Sequence, residues 1–186
     1  MHCPKCAIPI NDPFPQCPQC GFHIRDLDKE LGSPPERNNL VCDLAKAMGE
    51  PGLKLLCERL QAFTDRTGYA FYAVTIQTTA PRLPSEYVFW LFNRWNVGGD
   101  PHLGILMLLA IQERRIEVEV GCDLERFISD DAAAAILQHH AVPFLKRGRI
   151  DDGLYYAADV LGRFVEELAL KEPRSETSGI SAKPRV

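Results

Sequence analysis

The sequence predicts an α/β fold, in which a small mixed sheet lies between two helical layers as an α/β/α sandwich, preceded by a small N-terminal four-cysteine zinc ribbon. Three observations carry this expectation. The apolar runs Tyr69 to Ile76 and Ile105 to Ile111 have too little polarity for a wet face, so each reads as a central strand covered on both sides. Stripes of helical period alternate with these runs, the pattern of a sheet with helices on its faces. Two C-x2-C pairs stand ahead of both.

In chain order, residues 1–24 read as the ribbon and 25–37 as a polar linker containing Gly32-Ser33-Pro34-Pro35. The main domain is expected over 38–170. Its first helix carries Leu53, Leu56, Leu60 and Phe63 on one face, with Pro51 suited to its start and Gly68 to its end. After Pro84, a second stripe of Tyr87, Trp90, Leu91 and Trp95 follows the first apolar run. Ile116, Val118 and Val120 alternate with Glu117 and Glu119, a half-exposed strand joined to the second run by the short connection Gln112 to Arg115, as in an antiparallel hairpin. Ser129 with Asp130 and Asp131 suits a helix start, where carboxylates meet the positive end of the dipole. Leu154, Ala158, Leu161, Val165 and Leu168 line a last long helix. The tail, 171–186, is polar and expected to be disordered.

Charge and apolar content narrow the function classes. The net charge is −4, and residues 41–170 carry 13 basic against 18 acidic side chains. Phosphate-holding proteins need clustered Lys and Arg, so nucleic acid is not expected as a partner. The longest apolar run, Ile105 to Ile111, is seven residues, against roughly 20 for a membrane-crossing helix, and no span is expected. Met1-His2-Cys3-Pro4-Lys5-Cys6 lacks the apolar stretch of a secretory signal, which places the chain in the cytoplasm as an expectation. A protein partner fits this profile best.

Cys3-Pro4-Lys5-Cys6 and Cys17-Pro18-Gln19-Cys20 are separated by ten residues. Two residues between paired cysteines let both sulfurs turn to one ion, and four thiolates close a tetrahedral shell suited to Zn²⁺. With no vacant position, such an ion is structural. Two disulfides or a redox C-x-x-C are the alternatives, though three further cysteines, Cys42, Cys57 and Cys122, point to a reducing compartment. A head this short cannot fold on its own core, so chelation is expected to unfold it first.

From Val41 to Leu168 the chain resembles the TPM-domain family, which includes the thylakoid acid phosphatase and other proteins tied to photosystem II repair. The resemblance rests on Val41-Cys42-Asp43-Leu44-Ala45, on Trp90-Leu91-Phe92-Asn93-Arg94-Trp95-Asn96-Val97-Gly98 and on Gly104-Ile105-Leu106-Met107-Leu108-Leu109. It continues through Ile116-Glu117-Val118-Glu119-Val120-Gly121-Cys122-Asp123-Leu124-Glu125 and Val142-Pro143-Phe144-Leu145-Lys146-Arg147-Gly148. It implies an α/β/α sandwich and, in some members, weak phosphatase activity and calcium binding. The chain departs from the family pattern where His102-Leu103 precede Gly104 instead of an Asp or Asn, where Gly121-Cys122-Asp123-Leu124-Glu125 replaces Gly-x-Gly-Leu-Glu, and where Arg149 follows Gly148 in place of Asp.

The chain has no phosphate-binding loop, dinucleotide fingerprint or serine nucleophile elbow. His139 and His140 are adjacent and would point about 100° apart on a helix, too divergent to chelate one ion together, so they read as polar helix residues. Carboxylates at strand ends remain: Asp43, Asp100, Asp123 and Glu125, with Asp130 and Asp131, hard oxygen ligands suited to Ca²⁺ or Mg²⁺. Two function classes follow. One is a zinc-binding intracellular module for regulation or protein interaction; the other is a Ca²⁺- or Mg²⁺-dependent phosphatase acting on phosphomonoesters, whose nucleophile the sequence does not reveal.

Overall fold

The computed structural model describes residues 3–6, 8–10, 16–99 and 103–171. A four-stranded sheet runs in the order β1 (Val41–Asp43), β2 (Ala70–Ile76), β3 (Gly104–Ala110), β4 (Arg115–Val120). The first three strands are parallel and β4 returns antiparallel to β3, so the sheet is mixed. All seven residues of β3 are buried, as its unbroken apolar run requires. Alternation divides that run between two cores: Ile105, Met107 and Leu109 enter one, Leu106 and Leu108 the other.

The first core lies under α2 (Glu50–Thr67) and α6 (Ile150–Lys171), with α4 (Asp130–Ile136), a π-helical turn (Leu137–Ala141) and α5 (Val142–Leu145) beside them. Leu56, Leu60 and Phe63 of the predicted stripe are fully buried there. Pro51 sits in the first turn of α2, and Gly68 ends the helix with φ 68°. The Asp151 carboxylate caps α2 from the neighbouring helix, accepting the Gly49 N–H at 3.2 Å. The two helix starts approach so closely that a Cβ on Gly52 would lie 2.2 Å from Asp151 Cγ. Ser129 caps α4 by accepting the Ala132 N–H at 3.3 Å. His139 and His140 lie exposed on the π-helical turn.

Deeper between α2 and α6, Arg59 donates to Asp159 at 2.7 Å and to Glu166 at 2.8 Å, and Arg66 reaches the second Glu166 oxygen at 3.1 Å. The Glu166 side chain is only 8% exposed. A Cβ on Gly162 would lie 2.5 Å from Arg59 Nη2, so glycine at this helical position leaves room for the guanidinium.

The second core lies under α3 (Pro84–Arg94), and here the expectation of a linker over 25–37 is corrected. Ile24–Leu31 is a helix, α1, entered through His23, which accepts the Arg25 N–H, and ended by Gly32 at φ 73°. Leu27 is fully buried, and Asp28 accepts hydrogen bonds from the Trp90 indole at 2.9 Å and from Arg94 at 2.6 Å. Glu30 pairs with Arg82. Further along, the Pro35 carbonyl accepts the Trp95 indole N–H at 2.8 Å, and Arg37 donates to the Trp95 carbonyl while stacking over Tyr72. Two buried indoles need acceptors, and this segment supplies both. It is a strap fixed across α3.

The strap is expected to respond to acid through Asp28. Burial acts to raise the Asp28 carboxyl, but the bonds from Arg94 and Trp90 outweigh it and hold it below the ordinary carboxylate range. A carboxylate depressed in the folded state stabilises fully above its unfolded pKa of about 3.9, and that contribution is lost as pH falls through the lower folded value. We therefore expect acidification below about pH 4 to loosen α1 and shift tryptophan fluorescence. Asp28→Asn keeps an acceptor for Trp90 but does not titrate, so a shift of undiminished size in that variant would trace the transition to another group.

Candidate metal centre

Each cysteine pair sits in a small hairpin of the same form. The Cys3 N–H donates to the Ile8 carbonyl at 2.9 Å and the Cys17 N–H to the Phe22 carbonyl at 2.8 Å, closing each chain reversal around its pair. Gly21 takes φ 69° at the end of the second knuckle, a left-handed conformation that a side chain would strain. The hairpins face each other, with Cys3 and Cys20 Sγ 3.7 Å apart and Cys6 and Cys17 Sγ 3.6 Å apart. All four sulfurs lie within 4.8 Å of one another.

These separations exceed the disulfide length of about 2.05 Å. They match a metal shell: a tetrahedron with Zn–S bonds of about 2.3 Å has edges of about 3.8 Å. The thiols also behave as a crowded set. Burial raises the Cys3 pKa. The Ile8 N–H favours a Cys6 thiolate, but burial and the neighbouring sulfurs push that thiol up to about 12. Cys17 is brought down to about 6, because hydrogen bonds from the Cys20 and Gln19 backbone and from the Cys20 and Cys6 sulfurs overcome its burial. Four adjacent thiolates need a cation among them, and the donor set fits a soft divalent ion.

The head is seated on the sandwich. Cys3, Ile10, Cys17 and Phe22 belong to the core under α3, and the Phe22 ring meets Phe89 edge-on with centroids 6.1 Å apart. The knuckle tips, Lys5, Pro18 and Gln19, are exposed, as are Pro9, Gln16 and Gly21.

The acidic candidates do not gather in this way. Asp43 lies level with Thr75 and Leu109, at the C-terminal end of the parallel strands. Gly121 bonds to the Gly104 carbonyl at the other end of β3, so Asp123 and Glu125 follow at the opposite end of the strands, offset from Asp43 by about 16 Å along the strand direction at roughly 3.3 Å per residue, and three strands across the sheet. Asp123 is exposed and Glu125 half-buried. Asp100 lies outside the described residues. Asp130 begins α4, and Asp131 is exposed beside it.

Asp43 is occupied in shaping the turn after β1. Its carboxylate accepts the Ala47 N–H at 3.0 Å, the Met48 N–H at 3.1 Å and the Thr75 hydroxyl. Asp43→Ala is expected to cost about 1–3 kcal/mol by leaving those donors unmatched, measurable by urea unfolding; a loss below a few tenths would contradict this role.

Sequence reasoning missed Asp28, although Ile24, Leu27 and Leu31 recur at helical spacing just before Gly32. It also missed Arg59, whose carboxylate partners lie about a hundred residues along the chain and leave no local pattern.

The family model of the TPM domain matches residues 41–164. The chain belongs to the TPM-domain family. Its TPM domain shares its fold with the N-terminal domain of a P. gingivalis protein solved by NMR, at 22% identity and a TM-score of 0.67, covering 71% of this chain and 85% of that one. It is also similar to the N-terminal domain of the cg2496 protein from Corynebacterium glutamicum, at 14% identity and a TM-score of 0.55, covering 83% and 92%. No curated protein matches the chain. The cysteine head and the α1 strap precede the part of the TPM domain that the family model matches. Among the described residues, no helix is long and apolar enough to cross a membrane.

Proposed function

We propose that this TPM-domain protein holds a structural Zn²⁺ on Cys3, Cys6, Cys17 and Cys20 and serves as an intracellular module for regulation or protein interaction. The carrying observation is the closed sulfur set: among the described residues, these four are the side chains gathered within reach of one ion. Four thiolates leave no open coordination position for substrate or water, so the ion stabilises and does not catalyse. Thiolate ligation also suits a reducing compartment.

The seating of the head bears on how a partner would be met. Its inner face is used against α3, so contacts would fall on the knuckle tips or on the outer face of α2 and α6, where Leu55 and Tyr156 are exposed beside a shared cleft.

Purified protein should contain one zinc per chain and lose it in Cys3→Ser or Cys17→Ser; protein free of metal, or iron in its place, would overturn the assignment. The phosphatase reading separates by assay with added Ca²⁺ or Mg²⁺. Phosphomonoester turnover that collapses in Asp123→Ala would replace the interaction reading with a catalytic one.

A further inference from the structure

On the core opposite the cysteine head, a cavity of about 490 Å³ opens at the C-terminal end of β3. Leu109, Ala110 and Ile116 form its floor, and Val142, Leu145 and Ile150 line it from the helical side. It lies within the 300–1,000 Å³ of small-molecule sites, and the carboxyl ends of parallel strands are where open α/β sheets take ligands. The π-helical turn Leu137–Ala141 directly precedes the α5 wall, and such turns recur at functional sites.

Two cations line the same cavity. Arg114, in the hairpin turn between β3 and β4, is held at φ 51°, and Lys146 follows α5. Neighbouring cations are engaged: Arg115 pairs with Glu117 at 3.0 Å, and Arg149 pairs with Asp152 at 2.7 Å. Among the described residues, neither Arg114 nor Lys146 has an ion-pair partner, and no carboxylate lines this cavity. The cleft between the head and β4 differs, because it carries Glu117 and Glu119 with Arg115.

We propose that this cavity binds a small amphipathic anion, its apolar body among Leu109, Ile116, Val142, Leu145 and Ile150 and its carboxylate or phosphate head between Arg114 and Lys146. A guanidinium offers two parallel N–H donors to either head, and the ammonium adds a point charge. Burying the apolar body supplies the non-directional part of the affinity. Binding is non-covalent and independent of the zinc assignment.

The test titrates the full chain with octanoate, octyl phosphate, octyltrimethylammonium and inorganic phosphate below micelle concentrations, following the methyl resonances of Val142, Leu145 and Ile150. Either or both amphipathic anions should saturate one site and move those methyls, and the preferred head distinguishes a carboxylate from a phosphate source. The ammonium amphiphile and inorganic phosphate should bind at least tenfold more weakly. Lys146→Glu and Arg114→Glu, both at exposed positions, should each weaken the anion by roughly tenfold with the melting temperature retained. Equal binding of the cationic amphiphile, methyl shifts confined to another region, no saturable anion binding, or unchanged affinity in both variants would overturn the proposal. Should one variant unfold, the wild-type comparison of anionic and cationic heads still decides it.

Discussion

Removing the proposed zinc from this protein, by chelator or by Cys17→Ser, is expected to lower the stability of the whole α3 layer and not of the head alone. The cysteine hairpins cannot hold their shape without an ion, because so short a segment buries too little of its own surface. Their collapse uncovers more than themselves. Phe22 and Leu27, 6% and 0% exposed, pack with Trp90, Phe89 and Cys17 in one core. Re-exposing two side chains of that size costs about 3–6 kcal/mol, a large part of the 5–15 kcal/mol that typical domains possess. The melting temperature should fall by roughly 10 °C or more, with a change in tryptophan emission. An unchanged melting curve after complete metal removal would show that the head contributes nothing to the sandwich.

The second large effect is expected at Arg59. Arg59→Ala leaves Glu166 buried with Arg66 as its remaining cation, and Arg66 is 62% exposed. Breaking a buried pair from one side costs about 3–5 kcal/mol, since the surviving charge is desolvated without compensation. Arg59→Lys should recover little, because one ammonium cannot reproduce the bonds that the guanidinium spreads over Asp159 and Glu166. Gly162→Ala should also destabilise, although alanine favours helix, because its methyl displaces that guanidinium. The double variant Arg59→Met with Glu166→Leu should lose less than Arg59→Ala. Urea unfolding of the set checks this, and a loss under 1 kcal/mol for Arg59→Ala would contradict it.

The elements legible in the sequence were those whose burial is written locally. β3 is apolar throughout and could only be central; α2 and α3 repeat their large side chains every three or four residues; the hairpin needs only a short connection. The cysteine cluster was legible for a similar reason, since each pair lies within four consecutive residues. What escaped depends on distant partners. Val41–Asp43 is three residues long and becomes a strand by pairing with β2. The α1 strap looks like a linker because its composition is polar, and its few apolar residues acquire meaning only when α3 receives them. The acidic residues looked like one set because each stands near a strand end. Strand direction, which residue types do not declare, puts Asp43 at one end of the strands and Asp123 with Glu125 at the other.

The central claim is that the cysteine head is part of the sandwich, held there by its ion. Amide hydrogen exchange across α3, recorded with zinc bound and after its removal, tests this most directly. Protection of Val88 to Leu91 should fall together with that of the cysteine hairpins. Hairpin amides that exchange freely while α3 keeps its full protection would mean that the head is an appendage and the layer beneath it stands alone.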